Sequence, residues 1–298
     1  MSMETTDIAD FIIALKESGG IPISMSAVTQ ADPNQFAIST AIAIIGSAII
    51  IWWCWELFIK QAVSGAYARL LMFTLTRNTG RRYILIKHTE VGLFNQAMID
   101  SHTLQRVEQA IMSFRGQPFD LILHTPGGSI FFTQILSRII KDHGGIRCFI
   151  PYYAMSGGTM LALNCSEIYM GRMASMGAVD PQLGSMFSIG SAKSWEEVVR
   201  VKQRRASDTA IQMDFMGRQY TKTIKQNIIS ALSDKIPDAA QLDKCAEFLT
   251  NGGIEHAYQL SIPEAQSLGI PVREMPADIQ ATLSKVVSSS FLEGVYYG

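Results

Sequence analysis

Phe119-Asp-Leu-Ile-Leu-His-Thr-Pro-Gly-Gly128 is a short apolar run stopped at once by a Pro-Gly-Gly turn. Phe132, Ile135, Leu136, Ile139 and Ile140 follow at the i, i+3, i+4, i+7, i+8 spacing of one buried helix face, and Gly144-Gly145 ends that helix. A second apolar run, Ile146-Arg-Cys-Phe-Ile150, stops at Pro151 and leads through Tyr152-Tyr-Ala-Met-Ser-Gly-Gly-Thr159 into Met160-Leu-Ala-Leu163. The stretch reads as βαβ followed by another helix, with glycines at both strand-to-helix junctions. Alternation of strands and helices with short links continues on both sides and predicts an α/β fold.

Chemistry belongs at such junctions. Glycines let the backbone turn sharply and leave N–H groups uncovered, and a helix N-terminus adds a positive field for a developing anion. Ser156 stands on the second bend, where a nucleophile is presented. A Gly-Gly turn beside a Ser-Gly-Gly turn reads as an oxyanion hole beside a serine; each turn alone reads equally as a plain tight turn.

His124-Thr-Pro-Gly-Gly128, Tyr153-Ala-Met-Ser-Gly-Gly-Thr159 and Gly177-Ala-Val-Asp-Pro-Gln-Leu-Gly184 resemble the serine dehydrogenase proteinase family, within the larger group of the Clp protease and signal peptide peptidase A. The similarity runs from about Arg81 to Pro276 and includes Met98-Ile-Asp-Ser101 and Leu268-Gly-Ile-Pro-Val272. It implies a crotonase-like domain of repeated ββα units, a serine peptidase activity and homo-oligomers with enclosed active sites.

The net charge of −1 gives no reason to expect nucleic acid as a partner. Cys54, Cys148, Cys165 and Cys245 show neither CxxC nor Cys/His ligand spacing, so neither a metal site nor a disulfide framework is indicated. No cofactor motif is evident, and no P-loop that would power unfolding.

Phe36 to Trp55 carries no charge and is long enough for the ~20 residues a helix needs to cross a bilayer, with Trp52, Trp53 and Trp55 as an interfacial cluster. Lys60, Arg69, Arg77, Arg81, Arg82 and Lys87 follow it, whereas Lys16 alone precedes it. The positive-inside rule then places the N-terminus outside and the large C-terminal part in the cytoplasm. The expected organisation is an extramembrane segment 1–35 with a short amphipathic helix at Ile8 to Leu15, a membrane helix 36–55, a helical linker 56–80, a protease domain 81–276 and a tail 277–298, of which Ser284 to Gly298 reads as disordered or an oligomer contact.

A nucleophilic serine needs a base. Ser194-Trp-Glu-Glu197 reads as a capping box starting a helix at Trp195 that runs on past Met213, with Lys202 on an apolar stripe of Trp195, Val198, Val199, Ala206, Thr209, Ala210 and Met213. A lysine on such a stripe either reaches past it to water or is buried with a lowered pKa, as a base requires. The resemblance to signal peptide peptidase A, which uses a Ser-Lys dyad, selects Lys202, with Lys193 as its rival. A Clp-type Ser-His-Asp triad is the competing arrangement and fits poorly, because no histidine occurs between Ser156 and His256; His256 is an alternative base or substrate contact, and Asp180 is read as fixing loop geometry.

The expected chemistry is acyl transfer to Ser156 with Lys202 as base and the N–H groups of Gly127 and Gly157 as oxyanion hole, supported by Gly128 and Gly158. Substrates would be peptides, flexible tails or membrane-protein segments, cleaved without ATP, with the lipid bilayer and a membrane protein as further partners. The reading from another class is an inactive membrane-anchored oligomeric scaffold of the same fold.

Overall fold

The computed structural model describes residues 33–89, 98–185, 188–252, 256–288 and 294–298. The expected helix at Ile8 to Leu15 lies outside them. The chain divides into two compact units, Met1–Lys60 and Gln61–Gly298.

In the first unit, helix α1 (Pro33–Cys54) passes into a π-helical turn at Trp55–Ile59. Its stretch Ala37–Cys54 is 18 residues long, has a mean hydropathy of 2.0 and buries none of its surface against protein, so it is long and apolar enough to cross a membrane. Ser47 Oγ donates to the carbonyl of Ala43 at 2.8 Å, which satisfies that hydroxyl inside the helix, as hydrocarbon surroundings would demand.

The second unit opens with α2 (Lys60–Thr79) and is built on a six-stranded sheet. Its strands are β1 (Arg82–Lys87), β2 (Phe119–His124), β3 (Arg147–Ile150), β5 (Glu167–Met170), β9 (Val272–Glu274) and β10 (Gly294–Tyr297), ordered β10-β1-β2-β3-β5-β9. Only β10 runs antiparallel to its neighbour. The connecting helices are α3 (Ser101–Phe114), α4 (Ile130–His143) and α5 (Gly157–Leu163). Two small sheets lie outside it, β4 (Tyr153–Ala154) with β6 (Ser175–Met176), and the hairpin of β7 (Gln182–Ser185) with β8 (Ser188–Ser191). After the hairpin come α6 (Ala192–Lys202), α7 (Asp208–Leu232), α8 (Ala239–Thr250), α9 (Ile262–Ser267) and α10 (Ala277–Ser288).

Period-two alternation divides the core. Ile84, Ile86, Leu121, Leu123, Cys148 and Ile150 pack on one face with α3, α4, α5, α7 and α8. Tyr83, Leu85, Ile122 and Phe149 pack on the other with Met72 and Leu75 of α2 and Leu283, Val286 and Val287 of α10. The result is a three-layer α/β/α domain, the mixed α/β class that the sequence predicts.

Three features differ from the sequence reading. The buried face of α4 is centred on Thr133, Leu136, Ser137 and Ile140, so Ile135 and Ile139 are only half-buried. The helix expected from Trp195 past Met213 breaks at Gln203–Arg205, where Gln203 takes φ 46° and the Ser207 side chain accepts from the Ala210 N–H at 3.2 Å to cap α7. Segments 277–288 and 294–298 are part of the fold, because α10 covers one sheet face and β10 extends the edge of β1.

At the N-terminal end of the sheet Asp120 is fully buried between Arg81 at 2.7 Å and Arg147 at 2.5 Å, which ties the starts of β1, β2 and β3 together. Removing both cations strands a charge in the core. Arg81→Met with Arg147→Met is therefore expected to lower stability by about 3–5 kcal/mol. Adding Asp120→Leu should recover most of that loss in denaturant titrations, and a triple variant no better than the double one would contradict this account.

Candidate active site

Both glycine turns lie at the C-terminal ends of parallel strands, where open α/β sheets gather their ligands. At the first, Gly127 and Gly128 adopt φ 115° and 158°. A Cβ on Gly128 would sit 2.3 Å from the Ile99 carbonyl oxygen, and one on Gly127 would sit 2.8 Å from Ser156 Cβ, so both positions exclude a side chain. Ile99 N–H donates to Gly127 O and Ser129 N–H to Ile99 O, each at 2.8 Å, which clamps the turn against the chain preceding α3.

Ser156 occupies the second turn with φ 48° and ψ −114°, a left-handed geometry that L-residues rarely adopt. The bend is closed by Gly158 N–H to Met155 O at 2.7 Å, and Met155 N–H reaches Thr125 O at 2.9 Å. Buried Thr159 holds it from below, its hydroxyl bonding Ala154 O at 2.7 Å and both the carbonyl (2.9 Å) and the N–H (3.0 Å) of Gly177. Gly158 packs with no room for a Cβ, which would lie 2.7 Å from Thr125 Cγ2. The nucleophile position is thus fixed by the neighbouring strand.

Gly157 is the first residue of α5, so its N–H has no partner within the helix. Gly127, the other expected donor, already gives its N–H to Thr125 Oγ1 at 3.2 Å. The bridge between Ile99 and Gly128 uses the flanking N–H of Ser129 and leaves that of Gly128 outside the ladder. A Cβ on Gly157 would lie 3.4 Å from the Gly128 nitrogen, so the Gly128 N–H lies beside the start of α5.

These turns line a cavity of about 810 Å³ that also receives Asp180, His256 and apolar side chains including Met160, Ile224 and Tyr220. His256 Nδ1 lies 2.7 Å from Oδ1 of Asp180, a carboxylate that is 3% exposed. Gln182 Nε2 donates to Oδ2 at 2.7 Å, and the flanking backbone is pinned by Val179 N–H to Leu249 O at 2.7 Å. Ser156, His256 and Asp180 therefore share one site: a hydroxyl, an imidazole whose second nitrogen has no partner among the described residues, and a buried carboxylate that meets Nδ1 of the ring. The Asp180–His256 pairing spans 76 residues, and no local sequence pattern announces it.

Lys202 ends α6, a helix with no buried residue; it is exposed and is not among the residues lining the cavity. Lys193 is also exposed and pairs with Glu196 at 2.8 Å, which raises its pKa and favours the charged form.

Behind the turns lies a buried polar cluster. His88 Nδ1 is 3.1 Å from Thr125 Oγ1, and the His124 ring packs tilted at 49° against that of Tyr153 with centroids 4.1 Å apart. Burial lowers both imidazoles from 6.5 to about 4, aided at His124 by the charge of Lys87, so both are neutral in the folded protein.

The family model matching residues 67–285 is that of the ClpP-like SDH-type serine proteinases. Two uncharacterized proteins of Methanocaldococcus jannaschii are similar. One is 28% identical over 236 residues, covering 75% of this chain and 81% of the relative. The other is 31% identical over 205 residues, covering 66% and 68%. Among solved structures, a serine-to-alanine variant of the 1510-N membrane-bound stomatin-specific protease aligns at 21% identity and a TM-score of 0.42, covering 63% of this chain and 79% of that one. A lysine-to-alanine variant of the same protease, in complex with a substrate peptide, aligns at 23% and 0.41, covering 63% and 75%.

Two outcomes follow from this geometry. Ser156→Gly should relieve backbone strain and stabilise the domain by about 1 kcal/mol relative to Ser156→Ala, which keeps the strain; thermal unfolding of the pair checks it, and equal midpoints would contradict it. His88 and His124 protonate at about 6.5 when unfolded but only at about 4 when folded. The unfolded state therefore binds more protons between those values, and stability falls as pH drops through that window. Each histidine should cost roughly 2 kcal/mol between pH 7 and pH 5. Denaturant titrations should show this loss largely abolished in His88→Gln with His124→Gln.

Proposed function

Since the chain belongs to the ClpP-like SDH-type serine proteinases, we propose that it is a membrane-anchored serine peptidase whose nucleophile Ser156 is served by His256 and Asp180. The observation that carries this reading is the 2.7 Å contact of His256 with buried Asp180 in the cavity that holds Ser156. His256 donates its Nδ1–H to Asp180, which leaves the Nε2 lone pair to take the serine proton. Ser156 attacks the peptide carbonyl, and the N–H groups of Gly128 and Gly157 stabilise the oxyanion. His256 then protonates the leaving amine, and water releases the acyl-enzyme by the reverse sequence. A Ser156–Lys202 dyad is the competing arrangement; the exposure of Lys202 away from the cavity lining disfavours it.

Substrates are peptides, flexible tails or membrane-protein segments, entered without an ATP-driven motor. The cations after α1 favour a cytoplasmic protease domain. Exposed Ile211, Phe215 and Met216 along α7 support assembly with further copies.

Fluorophosphonate labelling of the detergent-purified protein tests the reading. Ser156→Ala should abolish labelling, His256→Ala should slow it by ~10²–10⁴-fold, and Lys202→Ala should leave it within a factor of a few. Labelling lost in Lys202→Ala and kept in His256→Ala would restore the dyad. A folded wild type that never labels would favour the scaffold.

A further inference from the structure

A second cavity, of about 480 Å³, is lined by Arg69, Arg82, Arg106, Ser113, Phe114 and Tyr297 among others, and shares none of its lining with the Ser156 cavity. The three arginines come from three elements, α2, β1 and α3. No acidic side chain lines the cavity, although the terminal residue Gly298 with its carboxylate does, and among the described residues no ion pair joins any of the three arginines to a carboxylate. In a chain with 25 cationic and 26 anionic side chains, three guanidinium groups converging on one concavity that holds no acidic side chain and at most the one terminal carboxylate are a local excess of positive charge that a bound anion would relieve.

The groups are held ready. Arg82 stacks 5.9 Å from the Phe114 ring centroid and Arg106 5.3 Å from that of Tyr297, and each spends one N–H on a neutral acceptor, Gln117 Oε1 at 2.9 Å and Val295 O at 3.3 Å. The remaining N–H groups form planar forks suited to bidentate bonding of a tetrahedral oxyanion. The Ser113 hydroxyl also lines the cavity but donates to Ala110 O at 2.7 Å.

We propose that Arg69, Arg82 and Arg106 form a binding site for a phosphate-bearing anion. The surroundings of Arg69 favour a lipid headgroup over a free phosphate as its source. On α2, Arg69 lies between the buried side, marked by Met72 and Leu75, and a stripe of exposed apolar residues, Val63, Tyr67 and Leu70. Such a stripe has no reason to face water, whereas acyl chains would cover it while the headgroup reaches the arginines.

The full chain in a neutral detergent is titrated with sodium phosphate against sodium chloride at equal ionic strength, and with dihexanoyl phosphatidylglycerol against dihexanoyl phosphatidylcholine, while thermal unfolding is followed. In the wild type, phosphatidylglycerol should raise the melting temperature saturably and phosphatidylcholine should not. The apparent affinity should fall about tenfold in Arg69→Gln, an exposed position where folding is spared, and further in Arg69→Gln with Arg106→Gln; Arg138→Gln, outside the cavity, should match wild type. A response to inorganic phosphate of equal size, lost in the same variants, keeps the site but assigns it to a free anion. No response to either probe in the wild type, or an undiminished response in Arg69→Gln, overturns the proposal. Fluorophosphonate labelling of Ser156 is read in the same samples, so failure of the peptidase reading is seen separately.

Discussion

The whole site depends on holding one non-glycine residue, Ser156, at φ 48°. A backbone in that region costs roughly 1–3 kcal/mol and persists only where its surroundings over-determine it. They do so here through Thr159 beneath the bend, Thr125 beside it and two glycines facing it at distances that forbid a Cβ. Each of those contacts needs β2 and β3 in register, and that register is set at the far end of the sheet by Asp120 between Arg81 and Arg147. The buried ion pair and the strained serine are thus opposite ends of one construction.

Burial acts differently at the two ends. Two arginines meet buried Asp120, whereas His88 and His124, buried just behind the turns, are lowered to about 4 by burial and remain neutral. The neutral histidines add no charge of their own behind the Gly127-Gly128 turn, where buried Lys87 is the cation and the α5 N-terminus and its first N–H groups add a positive field in front.

What the sequence made legible was what is local. The βαβ unit, both glycine turns, Ser156 and the apolar helix α1 follow from periodicity and turn chemistry within a few residues. The Lys202 stripe failed as a guide to packing because it assumed one continuous helix. Ser207-Asp208 is an N-cap signature inside the stripe, and the break at Gln203–Arg205 puts its two halves on separate helices. The folded tail was hidden because Leu283, Val286 and Val287 sit among serines and find their partners only across the sheet. The contact of Asp180 with His256 was invisible for a different reason, since it joins a loop after β6 to the chain after α8 through tertiary packing alone.

That contact also explains why Asp180 sits where it does. The β7–β8 hairpin supplies Leu183, Gly184 and Ile189 to the cavity wall. Asp180 precedes β7, with Val179 bonded to Leu249 and the Pro181 carbonyl accepting the Ala192 N–H at 3.0 Å. Trp195 Nε1 holds Leu183 O at 3.0 Å one step further on. The residues that orient His256 are therefore anchored to α6 and α8 at the base of the hairpin. The anchoring of Asp180, and with it the imidazole that Asp180 meets, thus rests on contacts at the base of the hairpin rather than on the cavity wall beyond Leu183.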